Sequence, residues 1–225
     1  SRELKGSGYT INMSDTGVRC FATSDKIGYD KSFRVDVGNG REVHLSKILT
    51  DMCYYLINVP VMKTHVAAGI SVCMKNLMGT ISAEQKKKFH FFGVAESVTD
   101  LNSVVKPQLC IADGTVAGEG DGPMANTPVG FQTVLAGTDS RIVDTICAKV
   151  MGFEPSKIEI LNTCNDRWGF LDAADVKEER FGGDIMEEVS KWIDSGDIEL
   201  LSRHKADRDH PVVGAASILA KVTRD

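Results

Sequence analysis

The sequence lacks several signatures that would place it quickly. Its cysteines (Cys20, Cys53, Cys73, Cys110, Cys147 and Cys164) never come as a C-x-x-C pair, so no zinc ribbon or ferredoxin-type cluster is encoded locally. No apolar stretch approaches the ~18 residues of a membrane-spanning helix, and no signal peptide is present. A basic excess is also missing. The net charge of −5 argues against a general nucleic-acid or membrane-surface binder, which needs a positive face. The glycine-rich stretch GTVAGEGDGP (114–123) does not have the G-x-x-x-x-G-K-S/T spacing of a P-loop. There is no internal repeat and no low-complexity linker.

What remains is an ordinary globular composition, 42% hydrophobic and 25% charged over 225 residues, enough for one large or two small domains. Cys53, Cys73, Cys110 and Cys147 sit in apolar runs, where a free thiol is a small core residue. A reducing compartment and a cytoplasmic location are the expectations.

Strand and helix signals alternate along the chain. Residues 1–45 read as weak strands and loops, including SFRVDV (32–37). YYLINVP (54–60) reads as a buried strand closed by its proline, and residues 70–79 as a short helix stopped by Gly79. Residues 94–106 carry apolar side chains at helical spacing, ended by Pro107. QLCIADG (108–114) and FQTVLAGT (131–138) read as strands, with the glycine stretch as a loop after the first. Residues 139–152 read as a helix capped by Asp139 or Thr138, and 155–163, 172–180 and 184–194 as further helices. This alternation predicts an α/β fold, a mostly parallel sheet flanked by helices.

Ligands in such sheets collect beyond the carboxyl ends of strands. Two segments qualify. VPVMKTHVAAGISVCMKNLMGT (59–80) places Lys63, His65 and Lys75 in an apolar run, where unpaired cations are costly. Together with His90 they suit an anion pocket with a histidine free to move protons or hold metal. The alternative is that the lysines reach to solvent and His65 caps a loop. Lys86 to Lys88 read as a solvated surface. The second segment holds Asp113 at a strand end, followed by Glu119 and Asp121. A carboxylate there suits a metal or a ribose hydroxyl, while the glycines equally suit plain turns. Asp144 lies on an apolar helix face and needs a partner, for which a lysine of the first group is a candidate.

NVPVMKTH (58–65), MKNLMG (74–79), IADG (111–114), GEGDGP (118–123), DSRIVD (139–144) and MG (151–152) occur in that order. Over about residues 10–195 they resemble the domain-of-unknown-function family 362. Some members of that family carry a ferredoxin-like cluster segment, which this chain lacks; by the resemblance, sequence would precede the part that begins at Ser1, so an N-terminally truncated domain is expected. His65, Lys75 and His90 are also similar in spacing to residues of lactate-racemase-like enzymes that hold a nickel-pincer nucleotide. By that analogy the lysine matched by Lys75 anchors the nucleotide and a histidine ligates the nickel. The site residues expected for this chain are His65 and Lys75 as catalytic, Lys63, Asn76, Gly118 and Gly120 as cofactor-binding, and Asp113 and His90 at a metal. The cofactor is left open, a divalent metal or a nickel-type nucleotide.

Residues 203–225, RHKADRDHPVVGAASILAKVTRD, change character. They resemble a C-terminal fragment of ribonuclease HII, with Asp207 matching one of that enzyme's metal-holding acids. The glycine-rich opening segment of that enzyme is missing, and one aspartate cannot perform two-metal hydrolysis. Two units are therefore expected, 1–198 as the α/β domain and 199–225 as the tail. The expected function is a crevice at strand carboxyl ends that binds an anionic ligand or a metal or nucleotide cofactor, with a metal-dependent small-molecule enzyme as the activity in view. The competing readings are a redox accessory domain partnering an iron–sulfur protein, and a ribonuclease HII-related nuclease.

Overall fold

The structure, a computed structural model, describes residues 33–171 apart from residue 39. The chain runs β1 (Phe33–Gly38), β2 (Arg41–Leu45), a π-helical turn (Ile48–Met52), β3 (Ile57–Asn58), β4 (Val61–His65) and β5 (Gly69–Ser71). α1 (Cys73–Asn76) follows and continues as a 3-10 turn (Leu77–Thr80) into α2 (Ala83–Phe92) and α3 (Val94–Val104). β6 (Leu109–Asp121), β7 (Ala125–Val129), β8 (Thr133–Gly137), α4 (Ser140–Val150), a 3-10 turn (Pro155–Lys157) and α5 (Glu159–Trp168) complete it.

The α/β class holds, and the sheet is mixed. β6 is its centre: β3 and β4 run parallel to it, and β7 and β8 pair with it antiparallel. β5 folds back antiparallel on β4, and β1–β2 form a separate hairpin. Thirteen residues make β6 long enough to take different partners along its length. Its amino-terminal half lies between β3 and β8, and its carboxyl-terminal half between β4 and β7.

Three sequence expectations are corrected. The glycine stretch 114–123 is largely strand, because its glycines allow close approach rather than a loose loop. A Cβ on Gly114 would lie 2.7 Å from both Met62 Sδ and the Thr133 carbonyl oxygen. The strand expected over 54–60 is confined to Ile57–Asn58 and resumes at Val61, since Pro60 has no N–H for the ladder. The helix expected over 70–79 is α1 and its 3-10 extension, while Ile70 and Ser71 belong to β5. The helices expected at 172–180 and 184–194, and the tail, lie outside the described residues.

Helices α1 and α4 pack on β6, and α3 packs on α1 and α5. Met62, Val72, Cys73, Val98, Leu101, Cys110, Ala112, Val143 and Cys147 form the core between them. α4 presents Val143, Cys147 and Ala148 inward at helical spacing, and Asp139 caps it by accepting from the amides of Arg141 (2.7 Å) and Ile142 (3.1 Å). Gly137 lets it sit close, since a Cβ there would lie 2.8 Å from Val143 Cγ2. α3 ends before Pro107 as expected, after burying Ala95, Val98 and Leu101. On the other side of β8 the alternation leaves Val134 exposed.

The β1–β2 hairpin is tied down by polar contacts. Gln85 accepts from the His44 amide (2.8 Å) and donates to the Glu42 carbonyl (3.1 Å). Arg41 reaches buried Asp100 on α3 (3.0 Å). Arg167 on α5 meets the same Asp100 and also Glu96 (2.7 Å). One carboxylate thus fastens the hairpin, α3 and α5 together.

Candidate functional site

The two segments singled out in the sequence do meet. Lys63 pairs with Gly118 across β4 and β6, and Val61 pairs with Asp113. Thr64 Oγ1 donates to the Gly120 carbonyl (2.6 Å), and the Val66 amide donates to the Gly122 carbonyl (3.0 Å). Asn126 of β7 donates to Thr64 Oγ1 (3.0 Å) and to the Glu119 carbonyl (3.3 Å). The glycines serve this packing. A Cβ on Gly122 would sit 2.0 Å from the Thr64 carbonyl oxygen, and one on Gly118 would sit 3.2 Å from Lys63 Cβ. Gly120 adopts φ +85° in the same hairpin.

The chemistry expected of these residues is spread out. His65 is buried, and its Nδ1 accepts the Ala67 amide (3.1 Å), which places the proton of the neutral ring on Nε2 and fixes the turn into β5. Lys63 is half-buried on β4, and Lys75 is buried in α1. Asn76 donates to Asn58 Oδ1 (2.8 Å), tying α1 to β3. Asp113 lies inside β6, not at its end, and Oδ1 accepts from the amide (3.0 Å) and hydroxyl (2.7 Å) of Thr115. His90 is exposed on α2. Among the described residues no three His, Cys, Asp or Glu side chains are grouped to hold a metal ion, so Asp113 and His90 do not form part of such a group.

Asp144 has a different partner from the one expected. Its buried carboxylate accepts from the Cys73 amide (2.7 Å) and the Met74 amide (3.0 Å), so it binds the first turn of α1. Burial pushes its pKa up to about 7, against the pull of those two amides. Around it lie the thiols of Cys73, Cys110 and Cys147. Asn58 donates to the Cys73 carbonyl (2.7 Å), and Cys110 Sγ lies 3.2 Å from Ser140 Oγ.

Ser140 also faces a cavity of about 250 Å³ that sequence reasoning did not find. It lies where α3 runs into β6, where β8 runs into α4, and beside the end of α5. Asn102, Lys106, Thr138, Ser140, Arg141 and Trp168 supply most of its polar and aromatic lining. Lys106 Nζ stands 4.8 Å from the Trp168 ring centroid, and the Arg141 guanidinium 5.9 Å. Arg141 Nη1 donates to the Gly169 carbonyl (2.7 Å). Neither cation has a carboxylate within ion-pair distance among the described residues. Asp139 also lines the cavity, with its Oδ1 accepting from the α4 amides. One signal was legible: Arg141 puts a cation in the first turn of a helix, where the helix dipole disfavours it.

The family model described as "Domain of unknown function (DUF362)" matches residues 2–149. The chain belongs to that family. The DUF362 match takes in β1 through nearly all of α4, so it includes Lys106, Arg141 and Asp144, while α5 and Trp168 lie beyond it. A thylakoid-associated protein of Synechocystis sp. is 27% identical over 134 residues, which are 56% of this chain and 41% of that protein. The ribonuclease HII of Methanococcoides burtonii is 54% identical over 57 residues, 25% of this chain and 27% of the enzyme. That of Thermococcus kodakarensis is 52% identical over 56 residues, 25% of this chain and 22% of the enzyme. The chain thus combines a DUF362 domain with a ribonuclease HII-like C-terminal fragment, and the similarity is longer than residues 199–225. It spans about a quarter of those ribonucleases and under half of the thylakoid-associated protein. No solved structure matches.

Proposed function

We propose that this DUF362 chain binds a small anionic ligand, a phosphate or carboxylate compound, in the cavity between α3, α4 and Trp168. The observation that carries the reading is the pair of cations, Lys106 and Arg141, lining one cavity without carboxylate partners among the described residues. Ser140 and Thr138 add hydroxyls that donate to anionic oxygens, and buried Asn102 closes the inner wall. A cavity of about 250 Å³ falls below the ~300–1,000 Å³ of drug-sized sites, so the ligand is small. The anionic-ligand expectation is kept from the sequence, and its proposed place moves from Lys63, His65 and Lys75 to Lys106 and Arg141. At the β4 turn, His65 and the glycines already have structural work to do.

Thermal unfolding in a buffer free of phosphate and sulfate tests this. Added inorganic phosphate raises the melting temperature saturably in the native chain and not in the Lys106→Ala/Arg141→Ala double variant. An equal rise in both, or none in the native chain, would overturn the proposal.

A further inference from the structure

We propose that the ligand of the cavity between α3, α4 and Trp168 is a phosphate monoester of a short, hydroxylated carbon chain, with Asp139 as the residue that selects the hydroxyl. This identification rests on the anion-binding reading of the cavity. Asp139 is a side chain that a plain anion site would not hold. It lines the cavity together with Lys106 and Arg141. A carboxylate there repels an anion and offsets part of what the two cations contribute.

Capping accounts for only one of its oxygens. Oδ1 accepts from the amides of Arg141 (2.7 Å) and Ile142 (3.1 Å). Among the described residues no hydrogen bond or ion pair engages Oδ2. Asparagine, serine or threonine would cap α4 without bringing a negative charge to the cavity. The helix dipole also favours that charge, so stability does not separate the two roles, whereas ligand preference does. A carboxylate oxygen only accepts, so the group it takes from a ligand is a donor. Ammonium and hydroxyl groups both donate. Lys106 and Arg141 in the same cavity repel an ammonium and leave a neutral hydroxyl unaffected.

The remaining lining suits the rest of such a compound. A phosphate monoester carries a charge of about −1.5 to −2 at pH 7, which two cations match better than they match a single carboxylate. The Thr138 and Ser140 hydroxyls donate and accept, so they serve phosphate oxygens and ligand hydroxyls alike. Met74, Val105 and Pro107 give the carbon chain an apolar wall. A volume of about 250 Å³ keeps that chain short. Lys106, Thr138 and Asp139 are exposed, so the cavity is reached from solvent beside the groups that would bind.

The test is isothermal titration of the whole native chain, in phosphate-free buffer, with glycerol 3-phosphate, n-propyl phosphate and glycerate. Propyl phosphate keeps the chain length and the charge and lacks the hydroxyls; glycerate keeps two hydroxyls and has a carboxylate in place of the phosphate. Glycerol phosphate is expected to bind about tenfold more tightly than either. Asp139→Asn keeps the cap, since its amide oxygen accepts the same two N–H groups, and puts an NH₂ where Oδ2 was. This variant is expected to bind propyl phosphate more tightly than the native chain does, because a like charge is gone, and its preference for glycerol phosphate falls to about twofold. A residue that only caps the helix would leave the preference unchanged. Equal binding of the two esters by the native chain, or a preference that survives Asp139→Asn in full, would overturn the role of Asp139 and leave the anion site standing. Glycerate bound as tightly as glycerol phosphate would overturn the phosphate assignment. Failure of all three probes to bind would overturn the cavity reading together with this one. The native-chain comparison decides the matter if the variant fails to fold.

Discussion

Two arginine-bearing regions lie on either side of α3, and they are built in opposite ways. At one, Arg41 and Arg167 converge on Asp100 and Glu96, so every guanidinium has a carboxylate and the three elements are clamped. At the other, Lys106 and Arg141 line a cavity with an indole ring and hydroxyls as neighbours. A charge neutralised within the fold serves the fold. A charge that faces a cavity with no carboxylate beside it, as exposed Lys106 and half-buried Arg141 do, is available to an anionic ligand. On the proposed reading, the difference separates a cluster that serves stability from one that serves binding.

Removing the clamp is expected to have the largest effect. Asp100→Ala removes the buried half of the clamp while Glu96 still pairs with both arginines, and it lowers unfolding free energy by about 1.5–3 kcal/mol in urea titrations. A loss under ~1 kcal/mol would erase the contrast between the regions. The matching change at the cavity works the other way. Lys106→Ala/Arg141→Ala keeps stability within about 1 kcal/mol while weakening phosphate binding at least about tenfold, read by isothermal titration.

Asp144 sharpens the comparison, being a buried carboxylate held by backbone amides. Its folded-state pKa, about 7, lies above the ordinary 3.8. A carboxyl raised in this way stabilises the fold fully below the unfolded value, and that contribution is lost as pH climbs through the folded value. The stability of the native chain relative to Asp144→Asn is therefore expected to fall between pH 3.8 and about 7 and to level off above that. A flat difference across this range would mean the carboxyl titrates normally. The smallest effect concerns the tail. Magnesium-dependent cleavage of an RNA–DNA hybrid is expected to be absent, and equally absent in Asp207→Asn, since two-metal hydrolysis needs converging carboxylates.

The α/β class, α3 and the capped helix α4 were legible because they rest on local apolar periodicity and on end signals, Pro107 after α3 and Asp139 before α4. Asp139 is the example: its spacing to the apolar residues of α4 names both the cap and the buried face. The long β6 was not legible, because glycine is a poor strand former until partners need close approach, and only the fold shows that Gly114 meets Met62 and Gly122 meets Thr64. The partner of Asp144 was missed for a related reason. A carboxylate on an apolar helix face suggests a cation, whereas the first-turn amides of a helix some seventy residues away serve equally well. The cavity was harder still. Lys106, Arg141 and Trp168 belong to three separate segments, and nothing local joins them before the chain folds.

The most direct measurement is equilibrium binding of inorganic phosphate to the native chain, to Lys106→Ala/Arg141→Ala and to Lys63→Ala. One saturable site is expected in the native chain and in Lys63→Ala, and its loss in the double variant. Phosphate binding that survives the double variant but disappears in Lys63→Ala would return the site to the β4 turn and contradict the assignment to the Lys106–Arg141 cavity.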